Sequence, residues 1–304
     1  MNEAHDLIII GAGPAGLTAA IYAARKKMDF VVVSPDVGGQ TAWSGAIENY
    51  TGFQFITGPE LAQKFDEHIR RFAIPLELSA RIDRLHREGG LWIAQGGGKR
   101  WTARTAIVAT GRVPRKLGVP GEEEFRNRGV AYCATCDGPL FADAEVAVVG
   151  GGNSALDAAL QMIRIARRVH LIQNLDRFTG DAVMLGKALG APNLTAHTGT
   201  EVAAIRGDAM VTGLVLRRRG QEEALPVEGV FIEIGTEPVS RFVEGVKTNP
   251  EGEIEVDCRC RTNLPGLFAA GDVSTVPAKQ VIVAAGEGAK AAISAFSFLS
   301  THPA

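Results

Sequence analysis

A dinucleotide-binding design is written into this chain twice, and that repeat limits the fold more than any other feature. The stretch DLIIIGAGPAG, residues 6–16, is an apolar strand pattern closed by Gly11, Gly13 and Gly16, after which Leu17, Ala20, Ile21 and Ala24 recur on one helical face. The stretch AEVAVVGGGNSA, residues 144–155, repeats it with Gly150, Gly152 and Ala155, followed by Leu156, Ala159, Leu160 and Ile163. Each unit runs on to a second apolar strand, FVVV ending at Val33 and VHLI ending at Ile172, so Ser34 and Gln173 occupy matching positions. Glycines at this spacing permit a tight turn, and the helix that follows aims its free amides and positive end at a pyrophosphate. Such turns also occur for helix packing alone, but a β-branched run before and an amphipathic helix after favour binding in both units. The expected fold class is α/β, with two Rossmann-like dinucleotide-binding domains in 304 residues.

A net charge of −2 with evenly mixed signs creates no broad field for nucleic acid or an anionic membrane, so neither is expected as a partner. Polar residues rather than a signal-peptide core follow Met1, and no apolar stretch is expected to reach the roughly 20 residues of a spanning helix. Four cysteines are too few for a secreted disulfide framework. The reading is a soluble, cytoplasmic protein.

Between the two units lies YCATCDGPL, with Cys133, Cys136 and Asp137. As half a zinc site it lacks a second pair, because Cys258-Arg-Cys260 is distant and wrongly spaced, so no metal is expected. As a structural staple it would close too small a loop to stabilise much. As a redox pair it makes chemical sense: one thiolate opens an external disulfide, the other resolves the mixed disulfide, and a neighbouring acid moves the proton. Cys258 and Cys260 themselves alternate with polar residues and read as two strand residues facing one side.

A redox pair between two nucleotide units implies a relay through a flavin. Here the chain resembles the low-molecular-weight thioredoxin reductase family and, in its last third, the C-terminal reductase part of the alkyl hydroperoxide reductase flavoprotein. The matching stretches are GAGPAG, GGQ at 38–40, IENYTGF at 47–53, ATG at 109–111, CATCDGPLF, GGGNSA, and GLFAAGDV followed by KQVIVAAGEGA. The resemblance implies that FAD is held by Gly11, Ala12, Gly13, Pro14, Ala15 and Gly16 at the pyrophosphate, and by Ser34, Asp36, Gly39 and Gln40 near the adenosine and flavin. Asn49, Ala109, Thr110, Gly111, Gly271, Asp272, Lys279, Gln280 and Val281 complete the implied FAD site. Gly150, Gly151, Gly152, Asn153, Ser154, Gln173 and Asn174 would form a second nucleotide site. Cys136 would face the flavin, Cys133 would be the more accessible partner, and Asp137 would carry the proton. His5, His68, His86, His170 and His197 carry no motif, and His302 lies on an expected frayed tail.

In this family the nucleotide and disulfide domain interrupts the FAD domain. GRVPRKLGVPG and IGTEPVSRF combine glycine and proline after apolar strands and suit the two crossings. The implied arrangement is FAD-binding residues 1–114 and 243–304, with 115–242 inserted between them. Relatives rotate the smaller domain so that disulfide and nucleotide alternate at the flavin, and they form homodimers; both are expected here by resemblance.

The electron donor is less conventional. NADPH-linked relatives usually carry His-Arg-Arg where this chain has Gln173-Asn174-Leu175, and a further arginine at Thr179. Charge-assisted bonds to a 2′-phosphate are each worth ~1.5–3 kcal/mol, so their loss disfavours NADPH. NADH, or a second FAD using the same pyrophosphate cradle, are close rivals for the second site, with ferredoxin as reductant behind them. The reading is a FAD-dependent reductase of a thioredoxin-like protein or another disulfide. A dithiol oxidase using oxygen, a ferredoxin or flavodoxin reductase, and a flavin-binding sensor with a vestigial disulfide are the alternatives.

Overall fold

The chain clusters into two units, residues 1–113 with 237–304 and residues 114–236, so the second is inserted into the first. The computed structural model describes residues 4–43, 47, 49–78 and 80–302, apart from the side chains of Trp43 and Cys136. The chain re-enters the first unit ahead of the anticipated 242/243 break. Val239 N donates to Gly111 O and Leu85 N to Phe242 O, which ties residues 237–242 to that unit.

The first unit is built on a sheet whose strand order is Leu76–Leu78, Phe30–Ser34, His5–Ile10, Lys99–Val108, Leu91–Gly96 and Arg84–Glu88. The long strand Lys99–Val108 divides its partners. Its start runs antiparallel to Leu91–Gly96, while Ala106–Val108 pairs parallel with Leu267–Ala269. Leu7, Ile8 and Ile9 are fully buried because both sheet faces are covered, as the unbroken apolar run requires. Leu7 and Ile9 pack under the helices Pro14–Arg25 and Val281–Thr301, whereas Ile8 and Ile10 pack with Trp92, Val243 and Ile254 on the other face.

The helix Val281–Thr301 has the length and apolar composition of a membrane span, contrary to the expectation that no stretch would. Its alanines explain that composition: Ala284, Ala285, Ala291, Ala292 and Ala295 are buried in the core. A Cβ at Gly288 would stand 1.9 Å from Ala15 O, so the small residue lets this helix cross Pro14–Arg25 closely.

The second unit repeats the plan with five parallel strands, in the order Leu194–His197, Arg168–Ile172, Glu145–Val149, Gly229–Ile232 and Val130–Ala131. The period-2 alternation of strand side chains divides the core. Val146 and Val148 face the helix Asn153–Met162 through Ala155, Leu156 and Met162. Ala147, Val149 and Ile172 face an antiparallel meander, Thr200–Gly207, Val211–Arg218 and Gln221–Pro226, through Ile205, Leu214 and Leu216.

Candidate functional site

In the first unit the glycine turn opens into a cavity of about 380 Å³. Gly11 has φ +106°, and a Cβ there would meet Ala109 O at 2.4 Å, so only glycine lets the turn lie against the Ala109–Gly111 loop. Gly11, Ala12, Gly13, Pro14, Ala15, Ser34, Asp36, Gly39, Gln40, Ala109, Thr110, Gly111, Gly271, Asp272, Lys279, Gln280 and Val281 all line this cavity. Two anticipated residues do not. Gly16 lies behind the turn, where a Cβ would stand 1.8 Å from Gly11 O, and Asn49 reaches the site through its amide, which donates to Gln280 Oε1 at 3.0 Å. Ser34 is buried, and its hydroxyl accepts from Ala12 N at 3.0 Å, which holds the glycine turn to the second strand.

Sequence reading missed the ion pairs that hold Arg112 and Lys279 in the lining of this cavity. Glu253 Oε1 lies 2.5 Å from Arg112 Nη1 and 3.0 Å from Lys279 Nζ, and its other oxygen accepts from Asn249 at 2.8 Å. Arg112 directly follows the ATG stretch, a signal that could have found it; Glu253 lies in a loop with no motif. Burial pushes the Asp272 carboxyl up, Lys279 and Arg112 draw it back, and it has no hydrogen-bond partner among the described residues. The helix Pro14–Arg25 has no side-chain cap, and a Cβ at Gly13 would touch nothing within 4 Å. Free helix amides, an open glycine edge and an unsatisfied carboxyl fit a dinucleotide with hydroxyls for Asp272 to accept from, as FAD has.

In the second unit a separate pocket of about 920 Å³ is lined by Gly150, Gly151, Gly152, Asn153, Ser154, Gln173 and Asn174. Here too the helix start, at Gly152, has no side-chain cap, and a Cβ at Gly152 would meet nothing within 4 Å. Gln173 is buried and its amide is already engaged. Its Oε1 accepts from Asn174 N at 3.1 Å, its Nε2 donates to Arg177 O at 3.4 Å, and the side chain lies against Gly151. Glu122 fixes another wall by accepting from Leu117 N, Gly118 N and the Tyr132 hydroxyl.

The cysteine turn belongs to the same unit. Cys133 is disulfide-bonded, and Ala134–Asp137 form one helical turn in which Asp137 N donates to Cys133 O at 3.1 Å. The side chain of Cys136 lies outside the described residues. Burial pushes the Asp137 carboxyl up, a condition that lets an acid hold a proton for delivery. Glu233, at the end of the strand Gly229–Ile232, accepts from Ala134 N at 3.4 Å and lines the second pocket. Burial pushes it up to about 7, against the Ala134 hydrogen bond and with help from Asp157. Its only sequence signal was an acid interrupting the apolar run GVFIEIG.

The other two cysteines are free and do not share a strand face as anticipated. They sit in a turn held by the Asp257 carboxylate, which accepts from Arg259 N and Arg261 N. Cys258 is exposed, while Cys260 adopts φ +61° and is buried against Glu287 Oε2 at 2.9 Å. His302 is not loose either: it stacks on Phe298 at 4.1 Å.

Two Rossmann-like units, one carrying a disulfide beside its glycine-lined pocket, define a nucleotide-dependent disulfide oxidoreductase class. The chain belongs to the pyridine nucleotide-disulphide oxidoreductase family, whose pattern it matches over residues 5–288, and this is a family of flavoprotein disulfide reductases. It is 42% identical to an alkyl hydroperoxide reductase component of Pseudomonas aeruginosa, over 98% of this chain and 59% of that protein. It is 39% identical to a Bacillus subtilis protein named NADH dehydrogenase, again over 98% of this chain and 59% of the relative. The chain thus spans 59% of the length of both relatives. Against thioredoxin reductase of Mycolicibacterium smegmatis the identity is 43%, with 97% of each chain covered. The solved thioredoxin reductase of Streptococcus pyogenes superposes with a TM-score of 0.82 at 35% identity, covering 99% of this chain and all of that one.

Proposed function

We propose that this chain is a FAD-dependent disulfide oxidoreductase that passes electrons from a pyridine nucleotide, NADH rather than NADPH, through flavin to the Cys133–Cys136 pair and on to an external disulfide. The observation that carries the reading is the disulfide at Cys133 in a chain with two uncapped glycine-helix cradles. A bound flavin would supply the means to accept two electrons from a hydride donor and deliver them to a disulfide.

The residues of the chain do the rest. Gly13 and the free amides of the helix Pro14–Arg25 would hold the pyrophosphate, Asp272 would accept from flavin-side hydroxyls, and Lys279 is held in place by Glu253. Cys136 would be the cysteine that takes electrons from the flavin, and Cys133 the one that attacks the substrate disulfide. Asp137 keeps a proton for the departing thiolate, because burial favours its neutral form. The substrate is a thioredoxin-like protein or another disulfide, and the enzyme works as a cytoplasmic homodimer.

NADH is supported by the lack of cations at Gln173, Asn174 and Leu175 and by the name of the Bacillus relative. The engaged amide of Gln173 favours a second reading, in which the pocket holds a second FAD and a protein such as ferredoxin supplies electrons. Flavin per polypeptide, measured after denaturation, separates the two. One flavin per chain with bleaching by NADH under anaerobic conditions supports the proposal, and two flavins without bleaching support the second reading. A protein that retains no flavin after reconstitution with FAD would sink both.

A further inference from the structure

Among the described residues, Glu233 is the carboxyl that borders both the cysteine turn and the glycine-lined pocket of the second unit. Its carboxylate accepts from Ala134 N, the first amide after Cys133, at 3.4 Å, and this is its only hydrogen bond among the described residues. Its own backbone is pinned, since Glu233 N donates to Val149 O at 2.8 Å. Gly150 fits against it only because a Cβ there would stand 2.3 Å from Glu233 O. The backbone at Glu233 is therefore fixed at the end of the strand, and its side chain reaches the turn from there.

The charged groups around it leave it uncompensated. From the helix Asn153–Met162 it faces Asp157, a second acid that adds to its reluctance to ionise. The pocket wall brings Arg115 and Lys116 from the incoming chain and Glu201 and Arg217 from the meander. Lys116 is paired with Glu123, and Arg217 with Glu222 at 2.8 Å. On the cysteine turn itself, Asp137 is the other acid.

We infer that Glu233 is a positioning residue that governs when Cys133 becomes a thiolate, by placing an ionisable carboxyl beside the first amide of the cysteine turn. When Glu233 is ionised, its charge opposes a second negative charge on the reduced Cys133; when it is protonated, that opposition disappears. Burial pushes the Glu233 carboxyl up to about 7, so the charge it places beside the cysteine turn changes near neutral pH. The inference rests on the proposed function only in taking Cys133 as the attacking thiol.

The test is alkylation of the reduced full-length protein by iodoacetamide from pH 5 to 10, with Cys133 followed by peptide mass spectrometry. Unmutated protein should give a Cys133 profile broader than a one-site titration. In Glu233→Gln the midpoint should fall by about one pH unit, so that alkylation at pH 7 quickens several-fold. Glu233→Asp should retain the broad profile. A one-site profile in the unmutated protein, or the same midpoint in Glu233→Gln, overturns the inference. No donor or disulfide substrate enters this measurement. A protein inert toward every disulfide but showing the expected profiles would therefore remove the functional reading and leave this one standing.

Discussion

Glu253 meets Lys279, which lines the first cavity, at 3.0 Å, and the same carboxylate holds Arg112, also of that lining, at 2.5 Å. Burial alone would raise the Glu253 carboxyl, but the Lys279 and Asn249 hydrogen bonds and the charges of Lys279 and Arg112 outweigh it, so the net direction is down. A depressed folded-state value means stability that is present above the ordinary carboxylate range and lost as pH falls through the lowered one. Glu253→Gln should therefore lower stability at pH 7 by about 2 kcal/mol and flatten this part of the acid limb, read by urea denaturation across pH. Equal stability of the two proteins at pH 7 would show that the network contributes nothing.

The glycines of the first turn divide into packing and binding positions. Gly16→Ala drives a Cβ to 1.8 Å from Gly11 O and should destabilise the fold by more than about 2 kcal/mol. Gly13→Ala meets nothing, at a backbone φ of −80° that alanine accepts, so the melting temperature of flavin-free protein should hold. Its FAD affinity should nevertheless fall at least tenfold, about 1.4 kcal/mol, as titrated by flavin fluorescence. Unchanged affinity would mean that this edge does not contact the cofactor.

Asp137→Asn removes a carboxyl whose protonated form burial favours. Turnover with a disulfide substrate should drop about 100-fold with flavin content unaltered, the loss being smallest at low pH, where solvent can supply the proton. Stopped-flow traces that show full-speed disulfide reduction in the variant would take Asp137 out of the chemistry.

Donor choice can be rewritten at the reader loop. Asn174→Arg with Leu175→Arg supplies the cations that a 2′-phosphate needs, and kcat/KM for NADPH relative to NADH should rise at least about tenfold. Leu175 is half exposed, so the change has room. A ratio that stays fixed would indicate that no pyridine nucleotide lies beside this loop.

The thiols should be unequal. Burial first, and then the Glu287 carboxylate, push the Cys260 thiol well above the ordinary range, whereas Cys258 is exposed. Ellman's reagent on the oxidised native protein should titrate a single thiol, Cys258, with Cys260 appearing only on denaturation. Two fast thiols would contradict the burial.

Local patterns alone determined much of this protein. The apolar run before Gly11, the run before Gly150 and the alternation within each strand place Leu7, Ile9, Val146 and Val148 in the core, because strand period and glycine geometry act over a few residues. The same short-range signals brought all the anticipated glycine-turn residues except Gly16 to a cavity wall. The sequence reading found no membrane-length apolar stretch, yet Val281–Thr301 has that length and composition, and packing against Pro14–Arg25 accounts for its alanines. Cys258 and Cys260 did mislead, since a turn bound to Asp257 overrode their strand-like alternation. What only the tertiary structure decided are the contacts between residues far apart in the chain. Arg112 finds Glu253 across 141 positions, and Ala134 finds Glu233 across 99. Charge pairing and burial at such separations depend on how the strands return to one another, which no local periodicity encodes.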